Sequence, residues 1–165
     1  MADTEGRRLA QDLREKSEEF KKLCEGLDEA TASRAPAGRW SPKAVVSHLI
    51  GPEGDQFLPA LKLALEQDAP RLDIEAENPF FTEERAAMSV KELLTLFDRK
   101  YSRIIGFVEG LTDAQLNRKL YVPLLKESPL TDYPTIAAFL NGLGSYHLNY
   151  HIKHMEEILS ALRGA

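Results

Sequence analysis

Residues 134–162 read PTIAAFLNGLGSYHLNYHIKHMEEILSAL. Ile136, Leu140, Leu143, His147, His151, His154 and Ile158 recur in it at steps of four, three, four, four, three and four. On a helix of 3.6 residues per turn these positions form one stripe, and a stripe of this length must be buried against other elements. The spacing predicts a last helix from about Pro134 to about Leu162. Three of the chain's four histidines lie on that stripe.

The rest of the chain supplies the partners. Leu9, Leu13, Phe20, Leu23, Cys24 and Leu27 predict a first helix of about five turns. "DEATASRAPAGR" then interrupts it. Ser41 suits an N-cap and Pro42 a first helical turn, where its missing N–H costs nothing. From there one long second helix is expected, kinked near Pro52 and again near Pro59, ending around Gln67.

About twenty acidic, turn-prone residues follow, a connection long enough to cross the domain or act as a lid. Phe80 and Phe81 are expected to pin it to the core. Ser89 and Glu92 form a capping-box pattern before a third helix carrying Leu93, Leu94, Phe97, Tyr101, Ile104, Ile105 and Val108. Thr112 to Gln115 reads as a second box, and "KLYVPLL" as a short extended piece. Four long amphipathic helices imply an all-α four-helix bundle in one domain, residues 1–165, with long connecting loops. The long second connection lets helices two and three run parallel.

Composition narrows the function. The 165 residues carry 43% hydrophobic side chains and a net charge of −5 with both signs mixed. No basic stripe is present, so neither nucleic acid nor an anionic membrane is an expected partner. No apolar run approaches the roughly 18 residues of a membrane span. The charged first twenty residues lack a signal-peptide core, so the cytoplasm is the expected location. One cysteine, Cys24, excludes an intrachain disulfide and reads as a small buried hydrophobe.

The histidines carry the chemistry. His147 and His151, four apart on one face, place their Cβ atoms about 6 Å apart, and two such imidazoles can share one metal ion. His48, in the second turn of helix two, is the candidate third ligand. Three imidazoles leave coordination positions open, the layout of a catalytic metal. Buried histidines that serve only packing are the competing reading, though neutral imidazoles in a helical core need several hydrogen-bond partners. No Glu-x-x-His, His-Glu-x-x-His or paired Cys-x-x-Cys occurs, which excludes the di-iron carboxylate bundle and the common zinc motifs. His154 is a candidate catalytic or ligand-supporting residue. Glu53, Asp55 and Tyr150 are weaker candidates, each read more simply as surface or packing.

"GRWSPKAVVSHLIGPEGDQF", residues 38–57, and "HLNYHIKH", residues 147–154, resemble the second- and last-helix signatures of the DinB/YfiT-like superfamily. The resemblance covers nearly the whole chain. It implies an up-down-down-up bundle and a divalent metal, zinc or nickel, held by His48, His147 and His151. It also implies a small-molecule substrate, thiol-dependent transfer or isomerisation with a low-molecular-weight thiol, and a homodimer; for an open three-histidine metal, hydrolysis is the next expected chemistry. His154 stands where the motif often carries Gln, and "GPEG" is an unusual continuation after His48. A non-enzymatic ligand-binding or stress-response bundle is the alternative. A third reading, a structural dimer with incidental histidines, would use Phe97, Tyr101 and Phe107 as its interface.

Overall fold

The computed structural model describes residues 4–164. In chain order it contains α1 (Glu5–Cys24), α2 (Glu29–Ser33), α3 (Pro42–Ile50), α4 (Phe57–Ala64), α5 (Glu83–Ala87), α6 (Val90–Val108) and α7 (Asp113–Leu116). The last rod is continuous but composite: α8 (Ile136–Asn141), a π-helical segment (Gly142–Leu148) and α9 (Asn149–Arg163). Among the described residues there is no strand. The expected extended piece forms isolated bridges, Arg71 with Tyr121 and Lys119 with Thr135. They tie the long loop and the run after α7 across one end of the bundle.

The caps act where the sequence places them. Ser41 Oγ accepts from the Ala44 amide at 3.1 Å with Pro42 beside it in the first turn. Ser89 Oγ accepts from the Glu92 amide at 3.0 Å, and Thr112 and Gln115 form a reciprocal box.

Cross-helix contacts fix the directions. Arg14 pairs with Glu109 and Lys21 with Asp98, so α1 and α6 are antiparallel. Arg39 pairs with Glu157 while His48 meets His147, so α3 and the last rod are antiparallel. Lys43 reaches the Ala86 carbonyl and Lys100 the Leu49 carbonyl, so α3 and α6 run parallel. The result is up-down-down-up, with the long loop returning the chain between the two parallel helices.

The core follows the predicted stripes. Leu9, Leu13, Phe20 and Cys24 of α1 meet Leu93, Phe97, Tyr101 and Ile104 of α6, all buried. Cys24 is enclosed, and burial pushes its thiol pKa up to about 12, which leaves it unreactive. Phe97 and Tyr101 are 0% and 2% exposed and so cannot form a dimer surface, which removes two members of that expected interface.

Two expectations about helices are corrected. The second helix is not one kinked rod. It ends at Ile50, and α4 begins at Phe57 after a true break. Gly51 and Gly54 adopt φ of +84° and +83°, the left-handed region open to glycine, and Pro52 cannot donate to the His48 carbonyl. The last rod is not a uniform α-helix either. Its π segment widens the turn before the histidines, so Leu143, Leu148, His151, Ile152 and Met155 are fully buried while His147 and His154 are half-buried. At Gly144 a Cβ would collide with the Asp12 carboxylate of α1, whose Oδ2 also accepts from Ser145 Oγ at 3.2 Å.

Candidate metal centre

His48 comes from the last full turn of α3. His147 closes the π segment and His151 sits in the first turn of α9. The three offer ring nitrogens that all lie within 4.8 Å of one another. Ring centroids are 5.4 Å apart for His48 and His147, and 4.7 Å apart for both His48–His151 and His147–His151.

Hydrogen bonds define which nitrogens are free. His48 Nδ1 lies 2.7 Å from the Asn78 carbonyl. A carbonyl only accepts, so Nδ1 carries the proton and Nε2 presents a lone pair. That Nε2 is 3.3 Å from His147 Nε2. Two tetrahedral ligands at 2.0–2.1 Å from one ion are separated by about 3.3–3.4 Å, so this pair already has ligand spacing. His151 Nδ1 is 3.3 Å from His154 Nδ1, which turns His151 Nε2 toward the cluster when Nδ1 donates. His147 Nδ1 is buried without a hydrogen-bond partner among the described residues.

The electrostatics favour neutral rings. Burial, then the neighbouring His48 and Lys100 charges, lower the His147 pKa to about 4. Burial, then the other three imidazoles, lower that of His151 to about 2. His48 is lowered mainly by burial, against the Asn78 hydrogen bond that raises it. At neutral pH all three therefore present lone pairs, which is what a divalent cation requires of nitrogen ligands.

His154 lies outside the cluster of three. It is half-buried, with its ring 6.0 Å from Trp40 and 5.5 Å from His151. Tyr150 is 56% exposed and stands edge-on to His151 at 5.0 Å. Glu53 and Asp55 are exposed in the α3–α4 break. Asp55 Oδ1 accepts from the Phe57 and Leu58 amides and so starts α4 rather than joining the imidazoles.

Three neighbours escape a reading of the sequence for chemistry. Asn78 acts through its backbone carbonyl, which any residue has. Its side chain accepts from the Phe80 amide at 2.7 Å, an Asx turn that the Asn-Pro-Phe run does signal. The loop is tied down by the Asn78 and Phe80 carbonyls, and both Phe80 and Phe81 remain only partly buried. Trp40 packs its ring 5.3 Å from His48. Lys100 falls between Phe97 and Ile104 at inward spacing, an unusual place for a lysine. It caps the end of α3 by donating to the Leu49 and Ile50 carbonyls at 3.2 and 3.1 Å.

A sequence model of the DinB superfamily matches residues 12–155, most of the chain. The protein belongs to the DinB superfamily. Among solved structures, YfiT from Bacillus subtilis aligns with a TM-score of 0.78 at 24% sequence identity, covering 96% of this chain and 87% of that one. It is described as "a probable metal-dependent hydrolase with an unusual four-helix bundle topology". At that identity the likeness shows a shared fold. No curated protein matches the chain. Among the described residues no helix is long and apolar enough to cross a membrane.

Proposed function

We propose that this protein is a divalent-metal-dependent enzyme in which His48, His147 and His151 hold the ion and leave room for a small-molecule substrate. One observation carries the reading: ring nitrogens of three histidines converge within 4.8 Å, with the His48 proton directed away to the Asn78 carbonyl. Zinc or nickel held there supplies Lewis acidity and lowers the pKa of a water or thiol that it coordinates.

The chain's own residues do the rest. The Asn78 carbonyl fixes the His48 tautomer, and His154 holds His151 in place as a positioning residue. Burial keeps the rings neutral and excludes bulk water. Trp40 and Tyr150 flank the cluster with aromatic surface. The favoured chemistry is transfer or isomerisation using a low-molecular-weight thiol. Its support is the resemblance of "HLNYHIKH" and "GRWSPKAVVSHL" to superfamily signatures. Hydrolysis is the second reading, favoured by the description of the YfiT neighbour. A homodimer fits the same resemblance, and sedimentation reads it directly; the cytoplasm fits the charged first twenty residues.

The test uses untagged protein loaded with zinc or nickel. One arm follows loss of free thiol with an electrophilic acceptor, and the other follows acid release from simple esters and amides. The expected result is metal-dependent turnover in the thiol arm, abolished by His151→Ala. Turnover in the hydrolytic arm alone selects the second reading. No metal-dependent turnover in either arm, with tight uptake of an apolar ligand, makes the protein a non-enzymatic binding module.

A further inference from the structure

A second feature lies where α3 breaks. Between the Gly51–Gly54 turn, α5 and α6 is a cavity of about 310 Å³, at the small end of the range for ligand pockets. Two cations are set into its wall. Arg85 is only 6% exposed. Its Nη1 donates to the Ser47 carbonyl, Ser47 Oγ and the Phe80 carbonyl at 3.0–3.3 Å. Its Nε and Nη2 meet no protein acceptor among the described residues. Lys100 gives two of its three protons to α3 carbonyls and lies 4.3 Å from the centre of the Phe57 ring.

Neither cation forms an ion pair among the described residues. Neutral carbonyls offset only part of the cost of holding a guanidinium away from water. Burial also lowers the Lys100 pKa to about 8, against Asp55, which raises it, and with Arg85, which lowers it further. Arg99 and Arg103, one turn apart on α6 and exposed, add two more unpaired charges at the mouth.

The carboxylates present do not neutralise this wall. Asp55 accepts from the Phe57 and Leu58 amides, and Glu53 and Glu84, exposed in the same lining, raise the Arg85 pKa against burial without pairing with it. The lining thus carries four cations, Arg85, Arg99, Lys100 and Arg103, against three carboxylates, Glu53, Asp55 and Glu84, and Arg85 keeps spare donors. A neutral occupant would add no charge to the partial compensation that carbonyls and nearby carboxylates give. An oxyanion would pair with the two cations and accept from the free N–H groups of Arg85.

We propose that this pocket binds the oxyanion group of a small molecule, with Arg85 and Lys100 as its donors. The pocket does not need the metal. Ser47 and Leu49 bracket His48 in sequence and bind the two cations through their own atoms.

The test is a titration of the full, isotope-labelled, metal-free chain, with inorganic phosphate in one arm and succinate in the other. The Nε–H resonance of Arg85 and the amides of Gly51, Glu53 and Gly54 report binding. Saturable shifts confined to these groups are expected in at least one arm, and the responding arm distinguishes phosphate from carboxylate chemistry. Lys100→Met and Arg85→Met should each raise the midpoint at least about tenfold. Should either fail to fold, the exposed pair Arg99→Gln and Arg103→Gln should still raise it about threefold through lost attraction. His147→Ala should leave the midpoint unchanged, so loss of the metal reading would not disturb this one, nor the reverse. Absence of saturable shifts in both arms, or an unchanged midpoint in folded Lys100→Met protein, overturns the proposal.

Discussion

Where α1 meets α6, Phe20 and Phe97 lie 5.2 Å apart by ring centroid, and Phe97 and Tyr101 lie 4.7 Å apart. Where α3 meets the last rod, the rings in contact are imidazoles, at 4.7 and 5.4 Å. Ring spacing and helical periodicity are alike, but the atoms at the contact differ. The phenyl seam is satisfied by contact alone. The imidazole seam brings lone pairs together and leaves one ring nitrogen without a partner. The first seam holds the bundle together, and the second is stable only with a guest or at some cost.

Substitutions can separate the two seams. The largest effect on folding is expected from Phe97→Ala, which should destabilise the chain by about 3–5 kcal/mol through lost burial and a cavity. Chemical denaturation reads this, and metal affinity of the folded fraction should be spared. His48→Ala should do the reverse. Metal affinity measured by competition with a chelating dye should fall more than about 100-fold, beyond the loss expected for a merely supporting residue. Little folding stability should go with it near neutral pH. A large stability loss in His48→Ala would show that the imidazole seam is ordinary core.

Between about pH 7 and pH 5 acid should act chiefly on the imidazole seam, because Glu5, Asp28 and Glu29 have carboxyls held below their ordinary range. The folded-state pKa values of His147 and His151 lie below their ordinary 6.5, at about 4 and about 2. Below about 6.5 the unfolded chain takes up protons that the folded chain refuses. Stability of the metal-free protein is therefore full above that pH and lost as pH falls, by about 1.4 kcal/mol per unit for each such histidine. Denaturation at about pH 7 and about pH 5 measures the slope. A flat profile would mean that the rings are solvated rather than enclosed.

Smaller effects sharpen the contrast. His154→Ala should weaken the metal about tenfold by releasing His151, without removing a ligand. Ser41→Ala removes the N-cap of α3 and should cost about 1 kcal/mol in a thermal or denaturant melt, with the metal retained.

The sequence made the phenyl seam legible because its residues repeat at helical spacing and nothing else competes for them. The same periodicity brought His48, His147 and His151 onto inward faces, and the structure gathers them. Three things stayed hidden for physical reasons. The π segment does not announce itself, because a wide turn keeps the residue types of an α-helix and shifts only their phase, moving Leu148 and Ile152 inward. Pro52 with Gly51 and Gly54 indicated a disturbance, but whether a helix bends or stops depends on what receives its last carbonyls, here Lys100 from another helix. The partner of His48 is a backbone carbonyl, and no side-chain pattern encodes one.

X-ray absorption on untagged, zinc-loaded protein measures directly whether three imidazoles from two helices surround one ion. The prediction is three imidazole nitrogens at about 2.0–2.1 Å, with the remaining position filled by a light atom. A shell with fewer than three imidazoles, or one unchanged in His48→Ala, would contradict it.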